Sequence, residues 1–240
     1  MGEILYEGKS KIICQGPDEK TVIVRYKDTA TAFDGKKKEN LEGKGKLNAE
    51  ITRLLFGYLV RHGIKTHLVE VIDETSELVR KAEIIMVEVI VRNAAAGGFS
   101  KKYGVPEGTA LDNTTTEFSL KSDTLGDPMI NKSQITALGI ATEAELAFMT
   151  AQSLRINELL CTLFEKAGIR LIDYKLEFGR SEGADSGARE VILCDELSPD
   201  SCRLWDIETN KKLDKDRFRR DLGDVLGGYR EVLRRLQSVL

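Results

Sequence analysis

Histidine occurs only twice, at His62 and His67, too few for a zinc site and too scattered for a nucleophilic triad. The four cysteines, Cys14, Cys161, Cys194 and Cys202, show no CxxC spacing, so reduced, packed thiols of a cytoplasmic protein are expected. No run approaches the ~18 apolar residues that span a bilayer, and "MGEILYEGKSK" has no apolar signal core, so no membrane association is expected. Neither GxxxxGK[ST] nor GxGxxG occurs. Charge of one sign is also missing. Lys and Arg number 36 against 39 Asp and Glu, a net −3. That excludes a nucleic-acid binder dominated by phosphate neutralisation, but not a local basic pocket for a small phosphate ester. There is no internal repeat and no low-complexity linker, so 240 residues make one large domain or two intimate ones.

The composition that remains, 41% apolar and 31% charged, supports a real core under a solvated surface. "ILYEGKSKIIC" and "TVIVRY", separated by "QGPDEK", read as an antiparallel hairpin, and "TAFDGKKKENLEGKG" as a loop. Leu47, Ile51, Leu54, Leu55, Tyr58 and Leu59 form one helical face, stopped at Gly63. "KTHLVEVI", "ELVRKA" and "IIMVEVIVR" read as strands, the last buried on both faces. The stretch 93–132 is too long for a plain connection and reads as functional. Thr142 with Glu145 makes a capping box, and Leu146, Met149, Ile156, Leu160, Leu163 and Phe164 carry a buried stripe to Gly168. "IRLIDYKLEF" and "REVILCDEL" read as strands joined by a flexible "GRSEGADSGA" with a disordered tip. Residues 212–240 form an amphipathic helical region weakened at Gly227 and Gly228. Runs of strands followed by long helices indicate an α+β fold.

Several stretches carry more polarity than folding requires. On the strand "LIDYKLEFG", Asp173, Lys175 and Glu177 share one face, either solvated or lining a site. The next strand ends in Asp195 and Glu196, and Glu177 and Asp195 from adjacent strands would suit Mg²⁺, which takes few protein oxygens. Lys9 and Lys11 beside Gly8 suit nucleotide phosphates, or protect an edge strand. In "VRNAAAGGFSKKYG", Arg92 and the small residues after it could cradle a phosphate, or the alanines could pack a helix start. Lys121, Asp123 and Asp127 sit in a turn, which could equally be plain surface. Arg203 either stacks on Trp205 or clamps an anion in a fork.

"LYEGKSK", "FDG", "KGKLN", "VRNAAAG", "KSDTLGDP", "LIDYKLEFG", "DELSPDSCRLWD" and "LDKDRFR" follow in the order found in SAICAR synthetases, and the chain resembles that family over nearly its whole length. The resemblance implies a cytoplasmic ligase that uses MgATP to join L-aspartate to carboxyaminoimidazole ribonucleotide (CAIR). It implies an α+β fold related to ATP-grasp enzymes, with a β-rich N-terminal lobe over the nucleotide (1–90), a C-terminal lobe holding the substrate and metal site (91–240), and a homodimer. By motif position, Lys9 and Lys11 would bind ATP phosphates, and Glu177 and Asp195 would hold Mg²⁺ and so contact the nucleotide. Asp173 and Lys175 would lie at the reacting centre. Arg92 and Arg203 would bind the anionic groups of CAIR, with Ser198 and Asp200 shaping that pocket and Lys121 and Asp127 closing it. Gly98 stands where many members carry a serine; its amide, or Ser100, could replace that contact. A kinase-like phosphotransferase and a non-catalytic nucleotide-binding module are the rival readings.

Overall fold

The computed structural model describes residues 2–32, 35–183 and 189–240. The tip of "GRSEGADSGA" and the Phe33–Asp34 pair of "FDG" lie outside them.

The chain begins with β1 (Ile4–Glu7), β2 (Lys11–Gln15) and β3 (Thr21–Tyr26). The run expected as one strand breaks after Glu7, where the Gly8 amide donates to the Lys11 carbonyl at 2.8 Å. Lys9 therefore lies in a turn and only Lys11 in a strand, so the two lysines do not alternate along one face. The expected β2–β3 hairpin forms in antiparallel register. β4 (Thr29–Ala32) and β5 (Lys37–Asn40) pair where a loop was expected. The cause is tertiary: Ala30 and Ala32, two residues apart, pack on the distant Phe218.

Helix α1 (Lys44–Arg61) starts after Gly43 at φ 88° and stops before Gly63 at φ 80°. Ile51, Leu55 and Leu59 are fully buried, as their spacing required. Its first turns also bury Lys44, Asn48 and Thr52, polar residues with no place in an apolar stripe. β6 (Leu68–Val71) and β7 (Ser76–Arg80) complete an antiparallel sheet ordered β1-β2-β3-β7-β6.

A second antiparallel sheet begins with β8 (Glu83–Ala94), which contains residue 90. The change of sheet falls at Lys81 and Ala82. Ile85, Val87, Val89 and Val91 are fully buried, but Met86 on the other face is 47% exposed. The fully buried apolar row of β8 is thus on one face, and its other face carries the half-buried Glu88 and the buried Arg92. The stretch 93–132 holds α2 (Gly97–Tyr103), β9 (Ala110–Leu120) and a 3-10 turn at Asp123–Leu125, much of it regular structure with few apolar residues to announce it. After α3 (Lys132–Ala137) comes α4 (Glu143–Lys166), with both hydrogen bonds of the Thr142–Glu145 capping box present and the expected stripe buried.

β10 (Ile169–Glu182) is the axis of the second sheet, flanked by β8, β11 (Arg189–Cys194) and β12 (Cys202–Asp206). Tyr174, Leu176 and Phe178 pack into the main core beside α4. The register Asp173↔Arg92 and Glu177↔Glu88 puts the polar face of β10 on the polar face of β8. The C-terminal helical region divides into α5 (Asp216–Arg219) and α6 (Val225–Gln237). The interruption is at 220–224, not at the glycines, which lie inside α6. A Cβ on Gly228 would come within 3.1 Å of the Leu213 carbonyl oxygen, so that glycine serves close packing. The fold is α+β, as the runs of strands followed by long helices implied.

Candidate active site

A cleft of about 530 Å³ is lined from both sheets. Ile13, Val22, Val24 and Val79 of the first sheet make it apolar on one side. Lys9, Lys11, Glu88, Lys121, Lys175, Glu177 and Asp195 make it ionic on the other. A separate cavity of about 430 Å³ on the α4 side of β10–β11 holds none of the residues expected to act.

Lys175 is the hub of the ionic side. Its Nζ lies 3.0 Å from Glu88 Oε1 and 3.1 Å from Asp195 Oδ2, and it bonds Glu177 as well. Lys11 bonds Asp195 and lies 3.0 Å from Glu196, while Lys121 is 2.9 Å from Glu177. Three ammoniums (Lys11, Lys121, Lys175) thus face four carboxylates (Glu88, Glu177, Asp195, Glu196), a balance of −1. Burial opposes charge on Lys175, but Asp195, Glu177 and Glu88 carry its pKa well above the ordinary lysine value. Burial would likewise raise Asp195, yet the Lys11 and Lys175 ammoniums hold it well below the carboxylate range. Asp195 has φ 62°, a left-handed conformation at the end of β11, and such strain is characteristic of functional positions. Among the described residues no group of three or more His, Cys, Asp or Glu is arranged to hold a metal alone. Glu177 and Asp195, converging on one cation, fit an ion that completes its shell with water and phosphate oxygens.

A second cluster lies further along the β10 face. Asp173 receives Arg92 Nη1 at 2.5 Å and Arg203 Nη1 at 2.9 Å. Each arginine is tethered again through Nε, Arg92 to Glu117 at 2.7 Å and Arg203 to Asp216 at 3.1 Å. Burial lowers and Asp173 raises the Arg203 pKa, with a net rise. The cation on the Trp205 ring is Lys212, 4.0 Å from its centroid, so the stacking alternative for Arg203 is not what forms. Gly97, at φ 55°, makes room for Arg203: a Cβ there would sit 2.3 Å from Nη2.

The remaining expected residues are spread around these clusters. Ser198 is fully buried; its hydroxyl donates to Glu196 at 2.5 Å and accepts the Asp200 amide at 3.1 Å, so it fixes the turn and does not face the cleft. Asp200 does line the cleft, and it pairs with Lys44 at 2.7 Å. Asp127 lines the cleft at φ 46° and accepts the Ser122 amide at 2.8 Å. Lys9 reaches Asp123 at 2.7 Å. Gly98 opens onto space with nothing within 4 Å of a notional Cβ, and the Ser100 hydroxyl is buried in α2. Ala94 and Ala96 pack with Ile172 and Trp205, and the Ala95 amide is bonded to the Thr109 carbonyl, so these alanines pack a helix start and do not cradle a phosphate.

The sequence reading named Glu196 as a strand-end acid without giving it a role, and missed Glu88, Lys44 and Lys215. Glu88 had a signal, being the one acid in "IIMVEVIVR" and in phase with Arg92. His67 lines the cleft as a neutral side chain; burial, with Lys11 nearby, takes its pKa down to about 4.

The pattern of the SAICAR synthetase family matches residues 4–236. A phosphoribosylaminoimidazole-succinocarboxamide synthase of Maricaulis maris is 52% identical over 234 residues, 98% of this chain and 90% of that protein. The crystal structure of the Ehrlichia chaffeensis synthase is similar at a TM-score of 0.95 and 44% identity, covering 99% of this chain and 100% of that one. A SAICAR synthetase in complex with ADP is similar at a TM-score of 0.92 and 42% identity, covering 98% of each chain. Family match, identity and coverage agree: the chain belongs to the SAICAR synthetase family.

Proposed function

We propose that the cleft is an active site that uses MgATP to join L-aspartate to CAIR, giving SAICAR, ADP and phosphate in purine biosynthesis. The observation that carries this reading is Lys175 bonded at once to Glu177 and Asp195 beside an apolar slot lined from the first sheet. The slot suits an adenine ring, and Lys9 and Lys11 stand where its phosphates would extend. The first sheet is the lobe that covers the nucleotide, and the second carries the chemistry. Glu177 and Asp195 would hold Mg²⁺, which when bound neutralises phosphate charge.

A carboxylate is a poor acyl donor because its leaving group is an oxide. In the proposed path the CAIR carboxylate oxygen attacks the γ-phosphorus and ADP departs. The aspartate amine then attacks the acyl carbon, phosphate leaves with the former carboxylate oxygen, and the amine loses its proton. Lys11, Lys121 and Lys175 offset negative charge on the transferring group. Arg92 and Arg203, each fixed by two carboxylates, bind the ribose phosphate of CAIR, with Asp173 holding both arginines in place. Asp127 and Lys121 border the cleft, and Gly97 leaves room for Arg203 while Gly98 opens onto space. We further propose a cytoplasmic homodimer, the second part of which light scattering tests directly.

ATP consumption decides the reading. A ligase requires CAIR and aspartate together. Phosphoryl transfer without aspartate would establish the phosphotransferase instead, and no consumption under any combination would leave a binding module.

A further inference from the structure

Lys215 is on the cleft wall next to Asp200 and Ser201, with 14% of its side chain exposed. Its ion-pair partner is Asp200, at 3.7 Å from Nζ. That carboxylate is already engaged. The same oxygen is 2.7 Å from the ammonium of Lys44, and the other accepts the Tyr229 hydroxyl at 2.5 Å. Lys44 is fully buried. One carboxylate thus serves two ammoniums, a local surplus of one positive charge. Burial, reinforced by Lys44 and Arg219, depresses the Lys215 pKa below its ordinary value, although Asp200 and, more weakly, Glu196 oppose this. Glu196 is itself held by Lys11 at 3.0 Å. An under-compensated cation at a buried wall is stabilised when an anion completes it.

The position fits one anion of the proposed reaction better than the others. The arginine pair at Asp173 suits a phosphate ester, and Lys11 and Lys175 border the slot that suits a nucleotide. The incoming amino acid brings two further carboxylates that no residue above accounts for. Thr31 lines the same cleft and adds a hydroxyl to it.

We infer that Lys215, backed by the Lys44–Asp200 pair, binds a carboxylate of the incoming amino acid and so directs its amine toward the acyl centre. The inference rests on the ligase reading above. Its test is the aspartate KM of Lys215→Met and Lys215→Arg at saturating ATP and CAIR, with ATP and CAIR Kd values measured separately by calorimetry. In the methionine variant the aspartate KM should rise tenfold or more while both Kd values hold, and arginine should recover part of the loss. A wild-type aspartate KM, or an equal weakening of ATP or CAIR, would overturn it. If the methionine variant does not fold, the charge-keeping arginine variant decides alone. Its longer head should shift the aspartate KM at least threefold with both Kd values unchanged, and an unmoved KM is fatal. A wild-type protein that fails to consume ATP with CAIR and aspartate would defeat the ligase reading itself, a result distinct from any of these.

Discussion

Arg203 donates through Nη1 to both oxygens of Asp173, at 3.0 and 2.9 Å, across the β10–β12 ladder. Arg92 takes the same carboxylate from the opposite strand, at 2.5 Å. One acid therefore aligns two guanidiniums, and Glu117 and Asp216 secure their outer ends. The arrangement makes Arg203 a fork that cannot turn, which is the property a bidentate anion site requires.

Replacing Arg203 with lysine removes the fork but keeps the charge. A lysine cannot span Asp173 and Asp216 while presenting a second pair of donors. The expected result is a CAIR Kd weakened about tenfold or more, roughly 1.4 kcal/mol, with the ATP Kd unchanged. Calorimetric titration of the variant with CAIR measures this, and unaltered affinity would remove Arg203 from the substrate site.

Asp195→Asn and Glu177→Gln should each nearly abolish turnover with the fold intact. Asparagine tolerates the left-handed φ of 62° at position 195, so the exchange alters charge without forcing the backbone. It leaves Lys11 and Lys175 short of one partner and removes a proposed metal ligand. The loss should be several kcal/mol of transition-state stabilisation. Steady-state rates at saturating Mg²⁺ test it; wild-type turnover in either variant would mean that metal is not held there.

How much of this was legible follows the physics of each element. The polar face of β10 could be read because strand alternation is strict: Asp173, Lys175 and Glu177 do share one face. The helix from Thr142 was readable because a capping box is a local device. β9, β4 and β12 were not, because their strand character comes from partners far along the chain rather than from apolar periodicity. Lys44 and Lys215 gave no signal for a similar reason. A lysine in a polar loop (Lys44) or in a charged helical stretch (Lys215) looks solvated until the fold brings Asp200 to it, across 156 and 15 positions respectively.

Lys11→Ala should act first on ATP. Lys11 is the first residue of β2, and its ammonium lies between Asp195 and Glu196. The ATP Kd is expected to rise while CAIR binding is largely retained. Removing the buried cation also takes the ion pair from Glu196 and leaves Asp195 to Lys175 alone, so a stability loss of about 3 kcal/mol should accompany it. Calorimetry with ATP and urea denaturation read the two effects separately. An unchanged ATP Kd would return Lys11 to a structural role within the acid pair.

The last expectation concerns acid stability, and it falls on Glu145. Its carboxylate closes the capping box of α4 and pairs with Arg180 Nε at 2.5 Å. The Arg180 hydrogen bond, aided by the Thr142 amide and hydroxyl, takes its pKa down from 4.5 to about 2. A carboxyl that is more acidic folded than unfolded contributes stability above the unfolded value of 4.5 and loses it as pH falls toward about 2. Glu145 is partly solvated, so screening limits the ion-pair contribution to about 1 kcal/mol. Glu145→Gln keeps an acceptor for the cap and loses the charge. Urea denaturation of wild type and variant should therefore differ by about 1 kcal/mol at pH 7, and the gap should narrow steadily from pH 5 to pH 3. A gap independent of pH over that range would show that the glutamate serves α4 as a neutral acceptor and that its pairing with Arg180 adds nothing.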